Sequence, residues 1–231
     1  MIRLILLFLI STSSAFAESV VIGMDKEKVA ITATFDGSQI LLFGAVKRDK
    51  PAPIGDLQVI VTVAGPSERI SVHRKSKVLG IWMNTETVEV DAAPSFYAVA
   101  TSSNFLSTIS DTEDLRYKVS IPRAIRSVGA PMNVLDAVSF SEAVIRIRKE
   151  QGLYKLLENT VEIDEQTLFR TSIGMPADIS EGDYTARILL TRNGNVIDKF
   201  STFIDVRKVG LERLLFNMSR ENPLAYGLMS L

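Results

Sequence analysis

The chain has 231 residues, 26 of them basic and 27 acidic, for a net charge of −1, with one histidine and no cysteine. That balance gives no general electrostatic attraction for nucleic acid or an acidic membrane surface, and the lack of cysteine excludes thiol nucleophiles, thiolate metal sites, disulfides and a lipid-carrying cysteine. Aromatic residues make up 7% of the chain, too few to suggest a stacking platform for bases or sugars.

The first segment reads Met1-Ile2-Arg3, an apolar run Leu4–Ile10, small polar residues, then Ala15-Phe16-Ala17. A positive start, a short apolar core and an A-x-A site form a secretory signal peptide over residues 1–17, with Glu18 as the expected new N-terminus. The apolar core is far shorter than the roughly 20 residues that span a bilayer. Export out of the cytoplasm is therefore expected.

Residues 18–101 read as a β-sandwich module. Strands are expected at Ser19–Met24 and Val29–Phe35, and Asp36-Gly37 turns the latter into Gln39–Val46 as a hairpin. After a charged, proline-containing loop come Leu57–Val63, then Ile70–Lys75, and short strands at Ile81–Asn84, Val88–Val90 and Phe96–Ala100. Short alternating strands separated by turn residues indicate an antiparallel sandwich.

In residues 102–158 the period changes. A helix is expected within Val134–Gln151, with Asn133 as N-cap and Gly152 as its end, preceded by helical turns at Asn104–Ile109 and Asp111–Val119. The alternation within Ala143–Arg148 leaves a strand open there. Residues 159–207 return to strands, Val161–Ile163, Thr167–Ile173, Tyr184–Thr191 and Val196–Val206, with Asn193-Gly194 as the strongest hairpin turn in the chain. The fold class is thus mainly β with a helical insertion: two Ig-like β-sandwich modules followed by a C-terminal amphipathic helix. In that helix, within residues 208–231, Leu211, Leu214, Leu215 and Met218 fall at i, i+3, i+4 and i+7. Such a stripe either docks on the sandwich or lies at a membrane surface leading into a span, so it is the expected membrane or partner face.

Three strings carry a family resemblance: Pro176-Ala177-Asp178-Ile179-Ser180-Glu181-Gly182-Asp183-Tyr184, the run Asp205–Arg213, and Pro223-Leu224-Ala225-Tyr226-Gly227. With the Gly37–Gly44 segment and Pro94-Ser95-Phe96-Tyr97, they resemble an uncharacterised family of alphaproteobacterial transmembrane proteins over most of the chain. The resemblance implies a periplasmic body, one C-terminal transmembrane helix, and a gene neighbour resembling a sulfite-exporter permease. It implies no catalytic residues. The chain stops at Leu231, where that span would begin, so it is expected either to be truncated or to lack the anchor.

Candidate chemistry is sparse. The lone histidine sits in the basic run His73, Arg74, Lys75, Lys77, with Val72 turned inward and His73 and Lys75 outward. Such a strand could collect a small anion such as sulfite or phosphate, or could simply be a charged edge that resists strand pairing. No second histidine exists to complete a metal site or to serve a serine nucleophile. Glu86/Glu89 and Asp111/Glu113/Asp114 read as solvated loop carboxylates, and Trp82, between Ile81 and Met83, reads as core. No catalytic residue, metal or cofactor is expected. The function expected is that of a non-enzymatic periplasmic accessory or interaction protein at the inner membrane, partnering a permease. The alternative is a periplasmic module that binds a small anion.

Overall fold

The computed structural model describes residues 18–25, 27–32, 35–48, 54–126, 136–209 and 218–229. The expected signal peptide and Leu211, Leu214 and Leu215 lie outside them. The N-terminal strands are β1 (Glu18–Met24), β2 (Lys28–Ile31), β3 (Ser38–Arg48), β4 (Leu57–Ala64), β5 (Ser67–Val78), β6 (Ile81–Pro94) and β7 (Tyr97–Thr101). Four helices follow: α1 (Phe105–Thr108), α2 (Asp111–Tyr117), α3 (Ile121–Ala124) and α4 (Ala137–Glu150). The chain continues through β8 (Tyr154–Leu157), β9 (Glu162–Asp164), β10 (Leu168–Met175), β11 (Gly182–Arg192) and β12 (Asn195–Lys208), and α5 covers Pro223–Met229.

The chain is mainly β with a helical insertion, but its two strand-rich stretches do not form two side-by-side modules. One sheet runs β1-β3-β10-β9 and a second runs β2-β12-β11-β4-β7-β8, so each draws strands from both ends of the sequence. The expected boundary between 18–101 and 159–207 is therefore crossed by strand pairing in both sheets. The physical reason is register: alternation buries one face of each strand, and Ile40, Leu42 and Gly44 of β3 stand opposite the inward residues Ile173, Thr171 and Phe169 on β10. The expected hairpin about Asp36-Gly37 is also absent, because β2 pairs in parallel with β12 while β3 pairs with β1 and β10.

A single core joins the sheets. On the second sheet, Val59, Val61 and Val63 stand beside Ile188, Leu190 and Ala186 and, across the other edge, beside Ala98 and Ala100. The opposite face of that sheet is covered as well, which is why every residue of β7 is buried and why Ile60 and Thr62 of β4 are buried along with Val59, Val61 and Val63. There, the Tyr97 hydroxyl donates to the Val119 carbonyl at 2.8 Å and the Thr191 hydroxyl to the Thr108 carbonyl at 2.7 Å, tying the short helices to the sheet. The helical reading of the insertion holds for α1, α2 and α4. Asp136, rather than Asn133, caps α4, accepting from the Ser139 amide at 3.3 Å, and Ala143–Arg148 is helical; Asn133 itself lies outside the described residues. Strand β8 was not expected; it is added in parallel beside β7.

The feature that matters most is an arm. Strands β4 and β7 pair within the second sheet, and their continuations β5 and β6 pair with each other as a separate two-stranded ribbon. The chain leaves the core at Gly65-Pro66, opposite Ser95-Phe96, through backbone bonds of 2.8 Å from Gly65 to Phe96 and from Ser95 to Pro66. A side chain at Gly65 would meet Ser95 Oγ at 2.5 Å and the Phe96 amide nitrogen at 3.0 Å, so the departure point requires glycine. Twelve residues of β5 at about 3.4 Å each give a ribbon on the order of 40 Å long. Its base is held by buried Val88 and Val90 and by Phe140 of α4, whereas its far half is exposed.

Candidate functional site

Between β5 and α4 lies an open groove. One part, of about 600 Å³, is lined by Val72, His73 and Arg74 on the ribbon and by Ser139, Phe140 and Arg146 on the helix. The other, of about 680 Å³, runs past His73, Lys75 and Asn84 towards Arg148 and Asp178. Three members of the basic run thus border the groove, while Lys77 lies farther out towards the ribbon tip. As expected, Val72 packs against the core while His73 and Lys75 are exposed.

The four basic residues do not converge on one point. Arg74 is engaged in docking the ribbon onto α4: it pairs with Glu86 at 2.8 Å and Asp136 at 3.6 Å, donates to Ser139 Oγ, and lies 4.6 Å over the Phe140 ring. Asp136 is held below the usual carboxylate range, first by the Ser139 hydroxyl and amide and then by Arg74. His73 Nδ1 is 2.9 Å from the Thr87 hydroxyl across the ribbon. Lys75 and Lys77 lie on the face away from Arg74, with Asn84 and Trp82, as the pairs Lys75↔Asn84 and Lys77↔Trp82 require.

Elsewhere, buried charges perform structural work that the sequence did not reveal. Glu113 and Asp114 are not loop carboxylates; they lie buried on α2. Asp114 accepts from the amides of Val119 and Ser120 at 3.1 and 2.7 Å and pairs with Arg123 at 2.8 Å, holding the turn between α2 and α3. Glu113 accepts from the Val196 amide at 3.3 Å. Arg187 reaches up from β11 to the Tyr117 carbonyl at 2.8 Å, the Lys118 carbonyl at 3.2 Å and the Tyr97 hydroxyl at 3.1 Å. Those carbonyls end α2, where a cation is favoured. Burial raises the Tyr97 hydroxyl and pushes Tyr154 up to about 12, so both stay neutral donors, Tyr154 to the Pro94 carbonyl at 2.8 Å. Among the described residues, no group of three or more His, Asp or Glu side chains is placed to hold a metal ion.

The largest departure from expectation is Trp82. It is not core but 67% exposed at the end of the arm, among Val78, Leu79, Ile81 and Met83, which are 42%, 99%, 67% and 52% exposed. The turn is Leu79-Gly80, both residues at positive φ (50° and 86°), the same backbone as Asn193-Gly194 at 52° and 76°. A type I′ turn favours Asn or Asp where Leu79 stands, because an ordinary side chain is strained there. Basic residues flanking an apolar turn between paired strands were the available signal; local apolar character alone suggested burial.

At the C-terminus, residues 218–221 and α5 are helical, with Met218 partly exposed and Leu224 86% exposed. Among the described residues, no helix is long and apolar enough to cross a membrane.

Comparison with known families gives a match over residues 19–231 to the family described as "Putative transmembrane protein (Alph_Pro_TM)". No curated protein matches. Among solved structures, an enterococcal surface protein (partial N-terminal region) is similar at 13% identity, with 83% of this chain and 43% of that chain covered and a TM-score of 0.28. The match thus spans less than half of that chain. BslA, a bacterial hydrophobin, is similar at 12% identity, with 84% and 97% covered and a TM-score of 0.21. Similarity at these scores carries no argument about fold or function.

Proposed function

We propose that this chain, which belongs to the transmembrane protein family matched over residues 19–231, is a non-enzymatic accessory or interaction protein of a membrane permease. In this reading it is exported to the periplasm and held at the inner membrane through its C-terminal segment, with the stripe Leu211, Leu214, Leu215 and Met218 facing lipid or the partner. Family membership is the observation that carries the reading, since it associates the chain with a membrane. The outward face of the first sheet lends support: Val21, Leu41, Phe43 and Leu168 are exposed there, an apolar surface of the kind that marks interaction sites.

The test is to express the native gene product in its own host with a tag placed after the expected cleavage site, fractionate the cells, and purify from mild detergent. Recovery in the inner membrane together with a permease is expected. Recovery as a free soluble periplasmic monomer contradicts the reading. The groove beside α4 favours one alternative, a module for a small anion, because His73, Lys75, Arg146 and Arg148 border it. Titration with sulfite, sulfate and phosphate separates the two: saturable binding lost in Lys75→Gln favours the anion module, and its absence beside a stable permease complex removes it.

A further inference from the structure

We infer that the tip of the β5–β6 arm is a membrane-inserting element that enters the interface of a bilayer carrying anionic headgroups. The inference goes beyond the proposed function, which places membrane contact at the C-terminal segment, and stands whether or not a permease partner exists.

Composition at the tip is the first ground. Five of the six residues Val78–Met83 are large and apolar, all are well exposed, and only Gly80 interrupts them. Soluble surfaces rarely carry so contiguous an apolar patch without a use for it. Leu79 is 99% exposed in a left-handed conformation that costs an ordinary residue roughly 1–2 kcal/mol. Asparagine, which the molecule uses at its other tight hairpin, would relieve that strain. Local folding thus argues against leucine here.

Charge is the second ground, and it selects the occupant. The segment Lys75–Asn84 holds two lysines and no acidic residue, in a chain whose overall charge is −1. A positive apolar tip on a near-neutral protein complements an anionic lipid surface, where each lysine near the headgroups contributes about 1 kcal/mol.

Geometry is the third. Register places Ser76, Val78, Ile81 and Met83 on one face of the ribbon and Lys75, Lys77, Trp82 and Asn84 on the other. From Lys75 to Val78 is three residues, roughly 10 Å, which matches the roughly 5–10 Å depth to which interfacial segments bury their apolar side. With Leu79 deepest, the lysines reach headgroup level and Trp82 occupies the boundary, the position tryptophan prefers in membranes. The ribbon satisfies its own inter-strand backbone bonds at that shallow depth, and its length holds the tip clear of the sandwich.

Trp82 is the only tryptophan in the chain, so it reports the tip alone. The purified full chain is mixed with vesicles of phosphatidylethanolamine and phosphatidylglycerol, or of phosphatidylcholine alone, and tryptophan emission is followed alongside flotation. Emission should move to shorter wavelength with the anionic vesicles, with a weaker response to phosphatidylcholine and to added salt. Neutralising Lys75 or Lys77 to glutamine should weaken partitioning about fivefold each. Leu79→Asn should weaken it roughly tenfold or more while leaving the melting temperature unchanged or raised, since Asn-Gly suits the turn. Unmoved emission overturns the inference whether the protein floats or not; flotation with unmoved emission assigns the contact to another segment. A shift that grows with protein concentration without vesicles also overturns it, because the tip then meets a second copy.

Discussion

Glu18→Ala is expected to cost about 3–5 kcal/mol of folding stability, read as a lower urea midpoint at unchanged slope. Glu18 ends the first sheet with its carboxylate on the inner face, opposite Arg48 in the β1–β3 register. It accepts from Arg48 Nε at 2.5 Å and, with both oxygens, from Arg192 of the second sheet at 2.9 Å. The side chains of Glu18 and Arg192 are only 5% and 6% exposed. The two arginines also donate to the Gln166 and Gly55 carbonyls. One carboxylate thus closes the end of the sandwich and joins its two sheets, and removing it takes away the buried anion that both guanidinium groups share. Such a pair is costly to break on one side even though an apolar replacement of every partner need not be.

The same cluster sets a pH dependence. Burial by itself would raise the Glu18 carboxyl, but hydrogen bonds and charge from Arg48 and Arg192 outweigh it, so its pKa lies below the ordinary 4.5. A group depressed in the folded state stabilises fully above its unfolded pKa, and that contribution is lost as pH falls through the folded value. The stability difference between the parent chain and Glu18→Gln should therefore be constant near neutrality and shrink below about pH 4.5. A difference that stays flat into stronger acid contradicts the clamp.

Phe96→Ala is expected to cost a similar amount, about 3–5 kcal/mol, and to act on the arm as well. Phe96 is fully buried where the arm leaves the core, with its ring 6.2 Å from that of Tyr184. Its carbonyl receives the Gly65 amide, so the ring packs under the strand crossing that launches the ribbon. Limited proteolysis should cut Ser67–Pro94 earlier in this variant than in the parent at matched global stability. A loss of stability without earlier cleavage in the arm would mean that the arm base is not coupled to the core.

Much of the fold was legible in the residues because period and burial agree. The β3, β10 and β12 alternations and the Asn193-Gly194 turn follow from strand geometry, and α2 and α4 follow from the change of period, although the cap of α4 is Asp136 and not Asn133. Pairing was less legible. The Asp36-Gly37 hairpin failed because a turn signal cannot say that β3 fits better between β1 and β10, and the two-module division failed for the same nonlocal reason. Trp82 and Glu113 show the complementary error. Apolar neighbours made the tryptophan look buried and polar neighbours made the glutamate look solvated, but the arm carries the first away from the core and helix packing covers the second. The basic run at His73–Lys77 was visible as a string; its division between Arg74 at α4 and the lysines near the tip depends on the register of β5 with β6.

The most direct test of the account is made in the living host, with a photoreactive amino acid in place of Leu79 and illumination of intact cells. The label is expected to pass to phospholipid, and neutralising both Lys75 and Lys77 in the same chain is expected to reduce the yield. Transfer only to protein, whether a second copy of the chain or a soluble component, would contradict it.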